Sequence, residues 1–227
     1  MLYIVPTPLG NLEDMTPRAA RVLKEVKTVY CEDTRRTLRL MSYLGLSTPL
    51  QRYEEQRHDR MLDELRQGRD VALVSDGGLP CISDPGWSVV AQARREKIPV
   101  TAIPGGSAVT TALAGSGLPS DSFVFLGFLP RSAGKQKKII AAAAELGKTM
   151  AIYESPFRVV ELLATAKEVL GSDAQCCVVR ELSKLHEEWV KGPLGEVEKD
   201  FSSRKEILGE FVVMLNSRKQ DDPDTEA

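Results

Sequence analysis

The sequence predicts an α/β protein of two domains, with a mostly parallel sheet in the first and a mixed sheet in the second. Three observations lead there. Short apolar runs alternate with helical segments from Leu2 to Ala114, the order that parallel sheets with crossover helices produce. The loops richest in glycine and proline, PTPLGN, SDGGLPCISDPG and PGGSA, each follow a predicted strand. At Gly115–Asp121 (GSGLPSD) the texture changes, and more β-prone segments follow. The expected divisions are 1–117, 118–216 and a polar, mobile tail over 217–227.

Element by element, Leu2–Val5 reads as a strand. Thr16 caps a helix that has Pro17 at its first position, continuing through Ala19–Val26. Thr28–Cys31 is a strand, and Thr34–Leu44 a helix closed by Gly45. His58–Gln67 is helical and ends at Gly68. Val71–Ser75 and Pro99–Ile103 are strands, with a helix over Trp87–Glu96 between them and another over Ser107–Ala114. In the second half, Phe123–Phe128, Thr149–Tyr153, Cys176–Arg180 and Gly209–Leu215 read as strands. Lys135–Leu146, Phe157–Leu170 and Leu194–Phe201 read as helices. Ligands of such sheets sit beyond the carboxyl ends of the strands, so the three special loops are expected to line one pocket.

The chain has 227 residues, 42% hydrophobic and 27% charged, which fits a folded globular protein. No apolar run approaches the ~18 residues of a membrane span, and no basic leader precedes the first apolar residues; a cytoplasmic location is expected. The cysteines, Cys31, Cys81, Cys176 and Cys177, form no CxxC pair and read as free thiols. Two distant histidines, His58 and His186, argue against a metal site. A net charge of −2 excludes bulk attraction to nucleic acid and leaves local basic patches.

PTPLGN has neither the lysine of a P-loop nor a GxGxxG pattern, so an NTPase is disfavoured. In SDGGLPCISDPG, Asp84 reads as the cap of the next helix, and Asp76 stands at a strand end beside Gly77 and Gly78, where backbone can approach a ligand. EF-hand spacing is missing. In PGGSA, Ser107 reads as a helix cap or a backbone ligand contact. Glu32–Thr37 (EDTRRT) sets two acids at a strand end and two arginines in the first helical turn, against the helix dipole. Asp33 or Thr34 can cap that helix; Arg35 and Arg39 lie four apart on one helical face. A second basic cluster, Arg131, Lys135, Lys137 and Lys138, lies in a segment without acids from Ser122 to Ala144. It reads as a solvated helix start or a phosphate-binding stretch.

Seven stretches in order, YIVPTPLGNLEDMTPRA, CEDTRRT, ALVSDGGLPCISDPG, IPGGSA, SGLPSDSFVFLGFLPR, YESPFR and RELSKLHEE, resemble the ribosomal RNA small-subunit methyltransferase I group, a branch of the tetrapyrrole methylase superfamily. The resemblance runs from Met1 to about Asn216. It implies a two-domain tetrapyrrole-methylase-like fold with a ligand cleft between the domains, S-adenosylmethionine as donor, and a homodimer. It also implies methylation of a cytidine ribose 2′-hydroxyl in the decoding region of small-subunit rRNA. Carried onto this chain, the donor positions are Pro8, Ser75, Asp76, Gly77, Ile82, Ser83, Ser107, Ala108, Tyr153 and Leu182. Arg35, Arg36, Arg39, Arg131, Lys135, Lys137 and Lys138 are the expected RNA contacts. No metal and no membrane are implied.

The sequence departs from the group's pattern at Gly77, Leu79 and Cys81, in PGGSA, and at Phe157. Longer members continue into a C-terminal extension, which bears on RNA affinity. Methyl transfer to a ribose hydroxyl calls for alignment and a base or an electrostatic assist. Asp14, Glu32, Asp33 and Glu154 are the candidate acids, and Arg35 a candidate stabiliser of alkoxide charge. The alternatives are a C-methyltransferase acting on a tetrapyrrole and a non-catalytic RNA-binding module.

Overall fold

The computed structural model describes residues 1–217, so the tail expected over 217–227 lies outside the described residues beyond Ser217. The chain divides into two compact units, Met1–Ser107 and Ala108 onward.

The first unit is a five-stranded sheet of β1 (Leu2–Ile4), β2 (Thr28–Cys31), β3 (Leu50–Arg52), β4 (Val71–Leu73) and β5 (Val100–Ala102). The strands are all parallel, in the order β3-β2-β4-β1-β5. Side chains alternate across the sheet. Leu2, Ile4, Tyr30, Val71 and Leu73 face α3 (Asp59–Arg66) and α4 (Trp87–Arg95). Val5, Val29, Cys31, Ala72 and Val74 face α1 (Pro17–Glu25) and α2 (Thr34–Tyr43). Both faces are buried, which explains the nearly unbroken apolar strands. Adjacent strands β1 and β4 lead into helices on opposite faces, α1 and α4. Their carboxyl ends therefore mark a topological switch point, the place where ligands of such sheets bind.

The local signals for α1 and α2 hold. Thr16 Oγ1 accepts from Ala19 N–H at 3.1 Å with Pro17 at the first position, and Gly45 takes the left-handed conformation after α2. Strand β3 is an addition: Leu50–Arg52 has no apolar alternation and pairs as an edge to β2.

The second unit holds β6 (Phe123–Phe128), β7 (Thr149–Glu154), β8 (Gln175–Arg180), β9 (Glu188–Pro193) and β10 (Phe211–Asn216), in the order β6-β7-β10-β8-β9. Strands β6 and β7 are parallel and the other pairs antiparallel, so this sheet is mixed. α6 (Ala133–Ala144), α7 (Val159–Leu170) and α8 (Leu194–Ser203) cover one face through Ile140, Leu162, Val197 and Phe201. α5 (Ala108–Ser116) packs against β7, β8 and β10. That packing moves the division of the chain to Ser107/Ala108, ahead of the change in texture at 115–121. No described helix is long and apolar enough to cross a membrane.

Candidate active site

The carboxyl ends of β1 and β4 are laced together. Thr7 and Gly78 exchange two backbone hydrogen bonds, N–H to carbonyl, each 2.9 Å. Thr7 Oγ1 donates to the Ser75 carbonyl and Ser75 Oγ to the Gly78 carbonyl, both at 3.0 Å. Gly78 has φ +88°, a conformation that glycine adopts without strain. The PGGSA loop packs onto the same latch. A Cβ at Gly105 would stand 2.4 Å from Pro6 Cγ, and one at Gly106 would stand 3.4 Å from the Thr7 carbonyl oxygen. The three loops meet at one edge, but the cleft beside them is lined from PTPLGN and SDGGLPCISDPG and not from PGGSA.

Beside this latch lies a cleft of ≈ 190 Å³, lined by Thr7, Pro8, Ser75 and Asp76 from the strand ends and by Arg36 and Arg39 from α2. Arg36 Nη1 lies 3.4 Å from Asp76 Oδ2, so the arginine placed against the helix dipole has a carboxylate partner. Asp76 Oδ1 is buried and has no protein partner. Arg35 points to the other side of α2, into an open groove of ≈ 430 Å³ with Leu38 and Met41. Arg36 and Arg39, three apart, share the cleft; the pairing of Arg35 with Arg39 on one face does not describe it.

Asp84 does not cap α4. The cap comes from Glu55, whose carboxylate accepts from Gly86 N–H (2.6 Å), Ser88 N–H (3.0 Å) and the Tyr53 hydroxyl (3.1 Å). Burial pushes the Glu55 carboxyl up, but these donors outweigh it and hold the group below its usual range. With the helix end taken, Asp84 turns toward Ser75 and Asp76. Burial raises its pKa most, the nearby Ser75 hydroxyl opposes that, and the Asp76 carboxylate adds to the rise. Glu32, half-buried at the end of β2, is raised by burial and then by Asp84 and Asp76. Glu32, Asp76 and Asp84 therefore form one acidic cluster beside the arginine-lined cleft.

The other candidate acids stand elsewhere. Asp33 caps α2, accepting from Arg35 N–H (2.8 Å) and Arg36 N–H (3.4 Å), which holds its carboxyl below the usual range. Asp14 is exposed on a 3-10 turn, Leu12–Asp14. Glu154 is buried at the end of β7, where Arg158 Nη2 lies 2.6 Å from its Oε1 and Ser155 N–H donates to the same oxygen at 2.7 Å.

The remaining donor positions fall in three places. Gly77 lies beside the Pro8 carbonyl, at 3.7 Å from a built Cβ. Ile82 and Ser83 are exposed on the outer turn of their loop, with Cys81 and Ser83 both left-handed. Ser107 directly precedes α5. Within the second unit, the Tyr153 hydroxyl accepts from Val109 N–H at 3.1 Å, next to Ala108 at the start of α5. Leu182 is buried between left-handed Glu181 and Ser183. Among the expected RNA contacts, Arg131, Lys135 and Lys138 are exposed, and Lys137 is ion-paired with Glu168 of α7.

A doubly wound parallel sheet with laced glycine loops, followed by a mixed-sheet unit, defines a known class. Residues 1–198 match the tetrapyrrole (corrin/porphyrin) methylases. Two solved structures share the fold. Uroporphyrin-III C-methyl transferase of Thermus thermophilus, complexed with S-adenyl homocysteine, has TM-score 0.64 at 22% identity, over 94% of this chain and 96% of that one. The methyltransferase CobJ has TM-score 0.70 at 16% identity, over 95% and 93%. Two relatives, both ribosomal RNA small subunit methyltransferase I, are closer in sequence. The Pseudomonas aeruginosa protein is 42% identical over 94% of this chain and 78% of its own, and the Thermotoga maritima protein 39% identical over 96% and 99%. The chain belongs to the tetrapyrrole methylase family and, within it, to the ribosomal RNA small subunit methyltransferase I group.

Proposed function

We propose that the chain is an S-adenosylmethionine-dependent methyltransferase that modifies the ribose 2′-hydroxyl of a cytidine in the decoding region of small-subunit rRNA. It works in the cytoplasm as a homodimer. The observation that carries the reading is the near-full-length match to the Thermotoga maritima relative, 39% identical over 99% of that protein.

The residues at the strand ends fit the donor. S-adenosylmethionine supplies a methyl group activated by a cationic sulfur. The cleft offers Asp76, with one buried carboxylate oxygen unpartnered, and Arg36 and Arg39 for a carboxylate. Pro8, Ser75, Asp76 and Gly77 hold the donor on the laced loops, and Ile82, Ser83, Ser107, Ala108, Tyr153 and Leu182 complete the set. A fixed latch keeps the reacting groups aligned, the largest requirement of an in-line displacement.

Ribose hydroxyls are weak nucleophiles, so a base helps. Glu32 is the best of the candidate acids. Asp33 is committed to its cap, Glu154 is buried with one oxygen held by Arg158 and Ser155 N–H, and Asp14 stands exposed on a separate turn. Burial and two neighbouring carboxylates raise Glu32 toward the pH at which it works, which favours proton uptake. Arg35 lies across α2 from the cleft, where it can hold a neighbouring phosphate.

The test offers labelled S-adenosylmethionine with small ribosomal subunits, naked rRNA or uroporphyrinogen. Label in the RNA is expected. Label only on the tetrapyrrole overturns the reading in favour of a C-methyltransferase. No label anywhere leaves an RNA-binding module.

A further inference from the structure

Strands β6 and β7 run parallel, so the turns that follow them emerge at the same end of the second sheet. That end presents two phenylalanines to solvent: Phe128, the last residue of β6, is 57% exposed, and Phe157, in the turn after β7, is 92% exposed. A single exposed apolar side chain is ordinary. These two sit on a fixed frame. The turn bearing Phe157 is anchored at its base by the ion pair of half-buried Arg158 with buried Glu154, at 2.6 Å. Arg158 Nη1 also donates to the Leu129 carbonyl at 3.3 Å, which ties that turn to the residue after Phe128. The Phe128 ring meets Tyr153 edge-on, with centroids 5.7 Å apart.

The chain beside the rings is basic. No acid occurs from Ser122 to Ala144, and Arg131 and Lys135 are exposed. The start of α6 has no acid in its first turn and no side-chain cap from Ser132, which adds to the positive potential there.

We propose that this end of the second unit is a docking surface for single-stranded RNA, with bases stacked on Phe157 and Phe128 and phosphates held by Arg131 and Lys135. The proposal rests on the reading of the chain as an rRNA methyltransferase and adds a recognition mode to it. Stacking on an aromatic face suits unpaired bases, because the faces of bases in a duplex are already covered. A basic flank complements phosphate. In a two-fold contact with a second copy, the same cations would be brought toward one another, which disfavours that occupant.

The experiment measures binding of a fluorescein-labelled single-stranded RNA of the decoding region to the full chain across a salt series. Phe128→Ala and Phe157→Ala should each weaken binding about 5- to 160-fold and leave the salt slope unchanged. Arg131→Gln with Lys135→Gln should reduce the slope by about 1.4, from two phosphate contacts on a single strand. Phe157→Trp should retain affinity, and its retention separates stacking from damage to the fold. Unchanged affinity in both alanine variants overturns the proposal. So does conversion of a dimer to a monomer by Phe157→Ala in sedimentation, which would assign the surface to a second copy. Wild-type protein that labels no RNA overturns the underlying reading instead, and the methyl-transfer assay tells these failures apart.

Discussion

Gly105→Ala tests whether the laced loops form the donor site. The added methyl would stand 2.4 Å from Pro6 Cγ and 3.0 Å from Pro6 Cβ, where ordinary contact begins at 3.4 Å. The neighbours belong to a proline ring fixed to its backbone, so they cannot swing aside. The PGGSA loop must instead retreat from PTPLGN by about 1 Å, and overpacking of this kind costs about 1–3 kcal/mol of stability. A shift of that size also misplaces the backbone around the cleft, and donor affinity should fall at least about tenfold, or about 1.4 kcal/mol. Urea unfolding and calorimetry with S-adenosylhomocysteine read the two effects. Gly134→Ala is the control: nothing lies within 4 Å of its Cβ, and alanine there should be neutral or gain about 0.5–1 kcal/mol. If Gly105→Ala matches wild type in both measurements, the latch does not shape the donor site.

Three further variants probe the acids and the arginines. Glu32→Gln should lower methyl transfer by about 10²–10⁴-fold with donor affinity intact; full activity would remove Glu32 as the base. Asp84 has a raised pKa, so its contribution to stability is intact at low pH and is lost as pH rises from the ordinary carboxylate value through the folded one. Asp84→Asn does not titrate, so its stability relative to wild type should rise with pH above the ordinary carboxylate value of about 4. A flat or opposite trend in thermal unfolding would place Asp84 outside the acidic cluster. Arg35→Glu should weaken RNA binding in a filter assay and spare donor affinity, because Arg35 lies on the groove side of α2; equal loss of both would make it structural.

Much of the fold was legible because its signals are local. The cap and proline at Thr16–Pro17, the glycine after Leu44, and the buried runs of β2 and β4 each name their element without outside help. Of the edge strands, β3 and β9 were not legible. Leu50–Arg52 is short and polar, and Glu188–Pro193 carries lysine, glycine and proline, residues that blunt an edge against further pairing. What makes them strands is a neighbour.

The site divides in the same way. Convergence of the three loops follows from parallel topology. The role of Asp84 does not: Asp-Pro reads as a cap, but the cap is supplied by Glu55, 31 residues from Gly86 in sequence. Once Glu55 holds the helix end, Asp84 is left to join Asp76 and Glu32. Likewise, the cost of Arg36 beside the helix dipole was visible in EDTRRT, but its partner Asp76 lies in the distant loop after β4.

The central claim is transfer of a methyl group to a cytidine ribose in small-subunit rRNA. It is tested most directly by incubating small ribosomal subunits with the protein and S-adenosylmethionine, digesting the rRNA to nucleosides, and identifying the methylated product by mass spectrometry. The account predicts newly formed 2′-O-methylcytidine, absent when donor is omitted. Methylation confined to a base carbon or nitrogen, or no modified nucleoside alongside a methylated uroporphyrinogen, would contradict it.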